Sequence, residues 1–269
     1  EVDYEVLPAV FDPEKAMLPG APVLHHKEFT ARIQHAGQNI FLKIESEYGN
    51  VENGFAEAEV IVEGTYESNK ISHAHLETHI AIASQSEDGR IHVRTSSQAP
   101  FQTKSKLSYL FGIPMERVHV YTERVGGGFG GKQEMLCEEL CVLGTLKTGR
   151  PVKWEFTREE EFVAGVSRHP MTTRIKVGAK KDGTLTAIQF RVVSNTGAYG
   201  NHGGETLAAS MSQSLQIYRC ENMQGTGYAV YTNIPPSGAF RGYGSSQTVF
   251  AVESAMGDLA RKLGMDLME

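Results

Sequence analysis

The chain holds only three cysteines in 269 residues, too few for a disulfide scaffold. Cys137 and Cys141 stand four apart beside Leu136 and Leu140, and Cys220 is isolated. Cys137 and Cys141 read as small core residues, and a reducing, cytoplasmic setting fits all three. No run of about 18 apolar residues occurs, which argues against a membrane-spanning helix. Basic blocks are missing too. The 26 Lys and Arg against 32 Asp and Glu leave a net charge of −6, so nucleic acid is not an expected partner. There is no Ser-His-Asp or Gly-x-Ser-x-Gly pattern, no cysteine pattern for an iron–sulfur cluster, and no internal repeat. The N-terminus, Glu1-Val2-Asp3-Tyr4, lacks an initiator Met and does not resemble a signal peptide, so a fragment or a processed chain is expected.

What is present is a mixed α/β pattern in a chain long enough for one large domain or two moderate ones. Residues 1–50, interrupted by Pro8, Pro13, Pro19 and Pro22, read as an extended arm or linker from a missing upstream domain. From residue 51 to 269 a single domain is expected. Strands are predicted at Val60–Tyr66, Ile80–Ala83, Ile91–Thr95, Val118–Tyr121, Val152–Phe156, Thr172–Val177, Leu185–Ser194 and Gly225–Thr232. Lys181-Asp182-Gly183 marks a hairpin. Helices are predicted over Pro100–Phe111, with Phe101, Leu107, Leu110 and Phe111 on one face, over Glu134–Lys147, over Gly203–Leu215 and over Gln247–Leu263. The hairpins exclude a doubly wound parallel sheet.

The most informative segment is Gly126-Gly127-Gly128-Phe129-Gly130-Gly131-Lys132-Gln133, five glycines within six positions followed by a lysine. Such a run suits a backbone that approaches a ligand closely or adopts positive φ. A strand before it and a helix N-terminus directly after it would make a site for anionic groups. Three readings compete. Gly126-x-Gly128-x-x-Gly131 satisfies the dinucleotide fingerprint, but Glu155, the nearest acidic partner, lies slightly too far on. Gly126-x-x-x-x-Gly131-Lys132 nearly satisfies the nucleotide triphosphate loop, but Gln133 replaces the magnesium-binding hydroxyl. The third reading is another phosphate-bearing cofactor, contacted by backbone and Phe129. A nucleotide-binding module or a cofactorless scaffold fragment therefore stays open at this point.

Other loops add polar groups. Gln98, in Ser96-Ser97-Gln98-Ala99-Pro100, stands at a strand-to-helix junction as a cap or an amide aimed at a ligand. Asn195-Thr196-Gly197-Ala198-Tyr199-Gly200 reads as an ordinary turn. In Pro235-Pro236-Ser237-Gly238-Ala239-Phe240-Arg241-Gly242-Tyr243-Gly244, small residues free the fork of Arg241 for a phosphate or heterocycle, and Tyr243 can stack on a ring. His73-x-His75-x-x-x-His79, with Glu77 between, has metal-ligand spacing. A structural role is favoured, because no further Cys or His cluster completes a shell.

Leu76-Glu77-Thr78-His79, Ser97-Gln98, Arg124-Val125-Gly126 through Lys132, and Ala239-Phe240-Arg241-Gly242-Tyr243-Gly244 occur in an order that resembles the molybdenum hydroxylases of the xanthine dehydrogenase and aldehyde oxidase family. The resemblance covers nearly the whole chain, most clearly residues 55–269. It implies a mixed α/β fold, the first half of the family's molybdopterin-binding domain. It implies a molybdenum held by the dithiolene of molybdopterin, in some members as the cytosine dinucleotide, with no direct side-chain ligand. Around the molybdenum it implies Gln98 bonding an oxo ligand, the backbone of Gly128, Phe129 and Gly130 at the site, and Arg241 with Gly242 beside the pterin. Substrate-facing positions fall at Gln133, Ala209 and Tyr243.

Here the sequence departs from its relatives. Purine-oxidising members carry a glutamate where Gln133 stands, an arginine near Ala209 and a phenylalanine where Tyr243 stands, whereas aldehyde-type pockets are apolar at the first position. The family's catalytic glutamate lies downstream of Glu269, so no catalytic residue falls within this chain and the chain alone is expected to be inactive. The resemblance implies hydroxylation of a carbon in a purine-like N-heterocycle with water-derived oxygen, or else oxidation of an aldehyde. It also implies [2Fe-2S] and FAD on partner chains or domains, the remaining half of the cofactor cradle, and an oligomer.

Overall fold

The computed structural model describes residues 2–26 and 33–267, apart from the side chain of Leu215. The chain divides into two compact units rather than one. The first comprises residues 1–70, 169–237 and 242–269, and the second residues 71–168 and 238–241. No helix among the described residues is long and apolar enough to cross a membrane.

The first unit is built on a five-stranded sheet ordered β1-β9-β8-β7-β2. Its strands are β1 (Ile40–Tyr48), β2 (Val60–Ser68), β7 (Met171–Ala179), β8 (Leu185–Gly197) and β9 (Met223–Tyr231). β7 and β8 form the expected hairpin. β8 and β9 run parallel, because helix α6 (Gly203–Leu215) carries the chain back between them. Helix α7 (Ser245–Leu263) lies with α6 over the sheet. Leu207, Met211, Val252 and Leu259 meet Ile175, Val177, Phe190 and Val192 in one apolar core.

The segment expected to be an irregular arm is more ordered than its prolines suggest. β1 pairs along its length with β9, and its Ile40-Phe41-Leu42-Lys43-Ile44 stretch supplies the apolar residues a sheet edge needs. Helix α1 (Pro13–Ala16) is capped by Asp12. Its Glu14 grips the Arg191 guanidinium through both carboxylate oxygens, and that bond holds the Glu14 carboxyl below its usual range. Helix α2 (Val51–Glu57) begins where the arm was expected to end.

The second unit carries a four-stranded sheet ordered β5-β4-β3-β6, with β3 (Ile80–Gln85), β4 (Ile91–Thr95), β5 (Val118–Tyr121) and β6 (Val152–Glu155). Helix α3 (Pro100–Phe111) carries the parallel crossover from β4 to β5. Helix α4 (Glu138–Thr148) and helix α5 (Arg158–Ala164) flank β6 in sequence. Leu107, Cys137, Cys141 and Val142 pack with Ala81, Ile91, Val93 and Val118. The expected apolar face of α3 holds only in part. Thr103 and Leu107 are buried and Phe111 packs against the core, whereas Phe101 is 84% and Leu110 56% exposed. The helix turns its i, i+4, i+8 row to the core and leaves Phe101 and Leu110 outside.

Candidate functional site

The glycine run follows β5 as expected, but no helix begins directly after it. α4 starts at Glu138, not Glu134. Just before it, Glu138 Oε2 accepts from the amides of Leu136 and Cys137 at 3.2 Å each. The helix N-terminus is therefore set apart from the glycine run by the turn segment that carries these two amides.

The run instead folds into a knot of short turns. Gly131 N donates to Gly128 O at 2.9 Å and Gln133 N to Gly130 O at 3.2 Å. Glu77 Oε2 accepts from Gly126 N at 2.8 Å. Gln98 Oε1 accepts from Gly130 N at 3.0 Å and from Lys132 N at 3.2 Å. The N–H groups of Gly127, Gly128 and Phe129 are left at the tip. Gly127, Phe129 and Gly130 take φ of 98°, 53° and 103°. A Cβ on Gly128 would stand 2.4 Å from Gln98 Oε1, and one on Gly130 2.6 Å from Ala239 O. Glycine is required at both positions by close approach.

Lys132 does not behave as a phosphate lysine. Its side chain is fully buried and its Nζ sits 2.5 Å from Glu77 Oε2. Burial raises the Glu77 carboxyl, but the bonds from Lys132 and from Gly126 N–H outweigh it and hold it below its usual range. A triphosphate loop needs that lysine free. The nucleotide readings lose their lysine and their helix N-terminus together.

Gln98 is no helix cap, since Ala99 stands at that position without a side-chain cap. Its backbone N–H donates to Lys132 O at 2.7 Å, and its side-chain oxygen receives the two loop amides. Both are donors, so the oxygen must face the loop and the Nε2 donors are directed elsewhere. Gln133 is half-buried, and its side chain makes no hydrogen bond with the described residues.

The segment 238–241 joins this unit. Arg241 N donates to Phe129 O at 2.8 Å. Phe240 is stacked 4.2 Å from the His73 ring, and the Arg168 guanidinium lies 3.9 Å from the centre of the Phe240 ring. Arg168 also donates to Arg241 O at 3.0 Å. The Arg241 side chain is left exposed. Glu134 Oε1 accepts from Ala239 N at 3.2 Å, and burial raises its carboxyl to about 7. Thus Gln98, Gly128, Phe129, Gly130, Gln133 and Arg241 belong to the second unit. Gly242, Tyr243 and Ala209 belong to the first. There Ala209 lies on α6, and the Tyr243 hydroxyl is 2.6 Å from His202 Nδ1.

Sequence reasoning missed Glu161. Residues 71–79 form no extended strand, and the three histidines converge by an irregular path with Ala74 at φ 48°. His75, His79 and Glu161 bring ligand-type atoms within 4.8 Å of one another. His79 Nδ1 lies 2.8 and 2.9 Å from the two Glu161 oxygens. Those are hydrogen-bond lengths, shorter than the roughly 3.3 Å between ligands on a tetrahedral metal with bonds of about 2.0–2.1 Å. Burial raises the Glu161 carboxyl, yet the His79 bonds and charge outweigh it and hold it down to about 2. One signal was visible in the sequence: Thr157-Arg158-Glu159-Glu160 is a capping box, formed as such in the structure, and it marks α5.

Of two clefts of about 430 and 400 Å³, one in each unit, neither is lined by Gln98, Arg241 or the glycine run itself, although Glu77, Ser96 and Arg124 border the second. The candidate site of the second unit is instead an exposed backbone rim, with Phe129 51% exposed at its crest. Its chemistry fits a planar, anionic cofactor that brings its own metal ligands: amide donors, backbone held close by glycines, and a free guanidinium, with no cysteine among them.

Known proteins resemble this chain in sequence and in fold. Residues 33–269 match the molybdopterin cofactor-binding domain family. The chain is 38% identical to the probable hypoxanthine oxidase XdhD of Escherichia coli (strain K12), over all of this chain and 31% of that protein. It is 32% identical to the nicotinate dehydrogenase large molybdopterin subunit of Eubacterium barkeri, over 98% of this chain and 60% of that protein. The aldehyde oxidoreductase from Desulfovibrio gigas superposes with a TM-score of 0.90 at 28% identity, covering 99% of this chain and 29% of that one. This chain thus spans only part of the length of these relatives. It belongs to the molybdopterin cofactor-binding domain family of the xanthine dehydrogenase and aldehyde oxidase type.

Proposed function

We propose that this chain is the molybdopterin-bearing part of a hydroxylase that oxidises a carbon of an N-heterocycle. The overall reaction takes a C–H bond and water to a C–OH group, two electrons and two protons. When bound, the cofactor supplies the two-electron redox chemistry and the route for the water-derived oxygen. In this reading the Gln98 Nε2 donors and the N–H groups of Gly127, Gly128 and Phe129 face the cofactor's polar ligands. Arg241 and Gly242 stand beside the pterin. Gln133, Ala209 and Tyr243 border the substrate. The cofactor is in molybdopterin or cytosine-dinucleotide form. Electrons leave through [2Fe-2S] and FAD on partner chains or domains, in a cytoplasmic oligomer.

The observation that carries the heterocycle reading is Gln133. Its unengaged neutral amide offers both a donor and an acceptor to a ring edge, which an ionised glutamate does not. The named activities of the hypoxanthine and nicotinate relatives support that choice. The close superposition on the aldehyde oxidoreductase favours an aldehyde as the second reading. The test is made on the full-length protein with its partner subunits. Molybdenum and pterin are assayed, and a purine and an aryl aldehyde are offered in ¹⁸O-labelled water. Label in an oxidised purine is the expected result. Absence of molybdenum refutes the proposal, and label in the carboxylate alone selects the aldehyde reading.

A further inference from the structure

The histidines of residues 73–79 share one habit. His73 Nε2 lies 2.7 Å from Ala239 O, His75 Nδ1 2.6 Å from Glu77 O, and His79 Nε2 3.0 Å from Gly131 O. A carbonyl only accepts, so each of these ring nitrogens donates. Two of the three bonds hold the rim of the candidate site: the glycine run at Gly131 and the second loop at Ala239.

His79 is itself held from behind at two points. Glu161 Oε2 accepts from the His79 backbone N–H at 2.9 Å, and both carboxylate oxygens face Nδ1. The first bond fixes the backbone and the second fixes the rotation of the ring. His79 and Glu161 are 5% and 4% exposed, so these contacts act where water does not compete. Arg158, three residues before Glu161 on α5, donates to His75 O and Leu76 O at 2.7 Å each. α5 is thereby tied to the histidine segment independently of the carboxylate.

We infer that Glu161 is a positioning residue for the glycine run, acting through His79. The carboxylate aims Nε2–H at Gly131 O. Gly131 N in turn closes the turn on Gly128 O, and that turn presents the free amides of Gly127, Gly128 and Phe129. The functional meaning of this chain of bonds rests on the molybdopterin reading, but the bonds themselves do not.

The test is hydrogen exchange on the intact protein with its natural partners, comparing wild type, Glu161→Asp and Glu161→Gln, with molybdenum content measured on the same samples. Glu161→Gln removes the charge and puts an amide where two donors already point. Exchange at Gly130, Gly131 and Lys132 is expected to rise about tenfold, the effect of losing roughly one charge-assisted hydrogen bond, while amides of β3 and β4 keep their wild-type rates. Molybdenum content is expected to fall with it. Glu161→Asp keeps the charge at shorter reach and should fall between the two, so it decides the matter if the Gln variant does not fold. Unchanged exchange in the glycine run overturns the inference. So does a uniform rise across β3–β6, which marks a merely structural role. A wild-type protein without molybdenum defeats the functional reading but leaves the exchange result to judge the clamp.

Discussion

Gly130→Ala is the sharpest probe of the rim. Gly130 takes φ 103°, and a Cβ there would meet Ala239 O at 2.6 Å, Ala239 C at 2.8 Å and Phe240 N at 2.9 Å. All three are backbone atoms of a loop already held by Glu134, His73 and Phe129, so none can swing aside as a side-chain end would. The strained φ costs about 1–3 kcal/mol and the overpacking about 1–3 kcal/mol more. Gly112→Ala serves as the control. It also has positive φ, at 64°, but a Cβ there meets nothing within 4 Å, so only the conformational cost of about 1–2 kcal/mol applies. Thermal unfolding of the intact protein should show the Gly130 variant several degrees below the Gly112 variant, at roughly 2–4 °C per kcal/mol for a chain of this size. Molybdenum content should fall in the Gly130 variant alone. If the two variants melt together, the close approach of the two loops is not what the glycine serves.

Five further outcomes are expected. Glu134 has its carboxyl raised to about 7, so its contribution to stability is present below about pH 4.5 and lost as pH rises through 7. Glu134→Gln keeps an acceptor for Ala239 N–H and should remove that decline, gaining up to about 3 kcal/mol over wild type at pH 8 in a denaturation series. Glu77→Gln leaves Lys132 buried without its carboxylate and should destabilise by about 3 kcal/mol in the same assay. On the molybdopterin reading, Gln133→Glu should change substrate preference in the loaded enzyme at constant molybdenum content, whereas Arg241→Ala should lower cofactor occupancy by removing the proposed contact, worth roughly 1.5–3 kcal/mol, measured by metal analysis. Burial pushes the Cys141 thiol up to about 11 and the Cys137 thiol up as well, so neither should react with iodoacetamide at pH 8 until the protein unfolds.

Much of the local structure was legible in the sequence. Alternation and turn chemistry placed the β7–β8 hairpin around Asp182-Gly183, and glycine with proline stopped α3 and α4 close to their ends. These features depend on residues a few positions apart, whose hydrogen bonds and periodicity are local. The glycine run and the order of its companion loops likewise marked the family before any contact was known. The start of α4 was not legible, because Glu138 and Thr95 settle it through a buried hydrogen bond across 43 positions. β1 was hidden by the prolines before it and becomes a strand only by pairing with β9.

The site divides in the same way. Sequence alone singled out Gln98, Phe129 and Arg241. It could not show that Gln98 turns its oxygen inward to Gly130 and Lys132, nor that Lys132 is buried on Glu77. Spacing made His73, His75 and His79 resemble a metal cluster. Tertiary structure made His73 and His79 props for two loops, with Glu161 82 positions away behind one of them. A side chain's type limits which bonds it can make. Which partner reaches it across many tens of residues is decided only when the sheets and helices close around it and exclude the water that would otherwise compete.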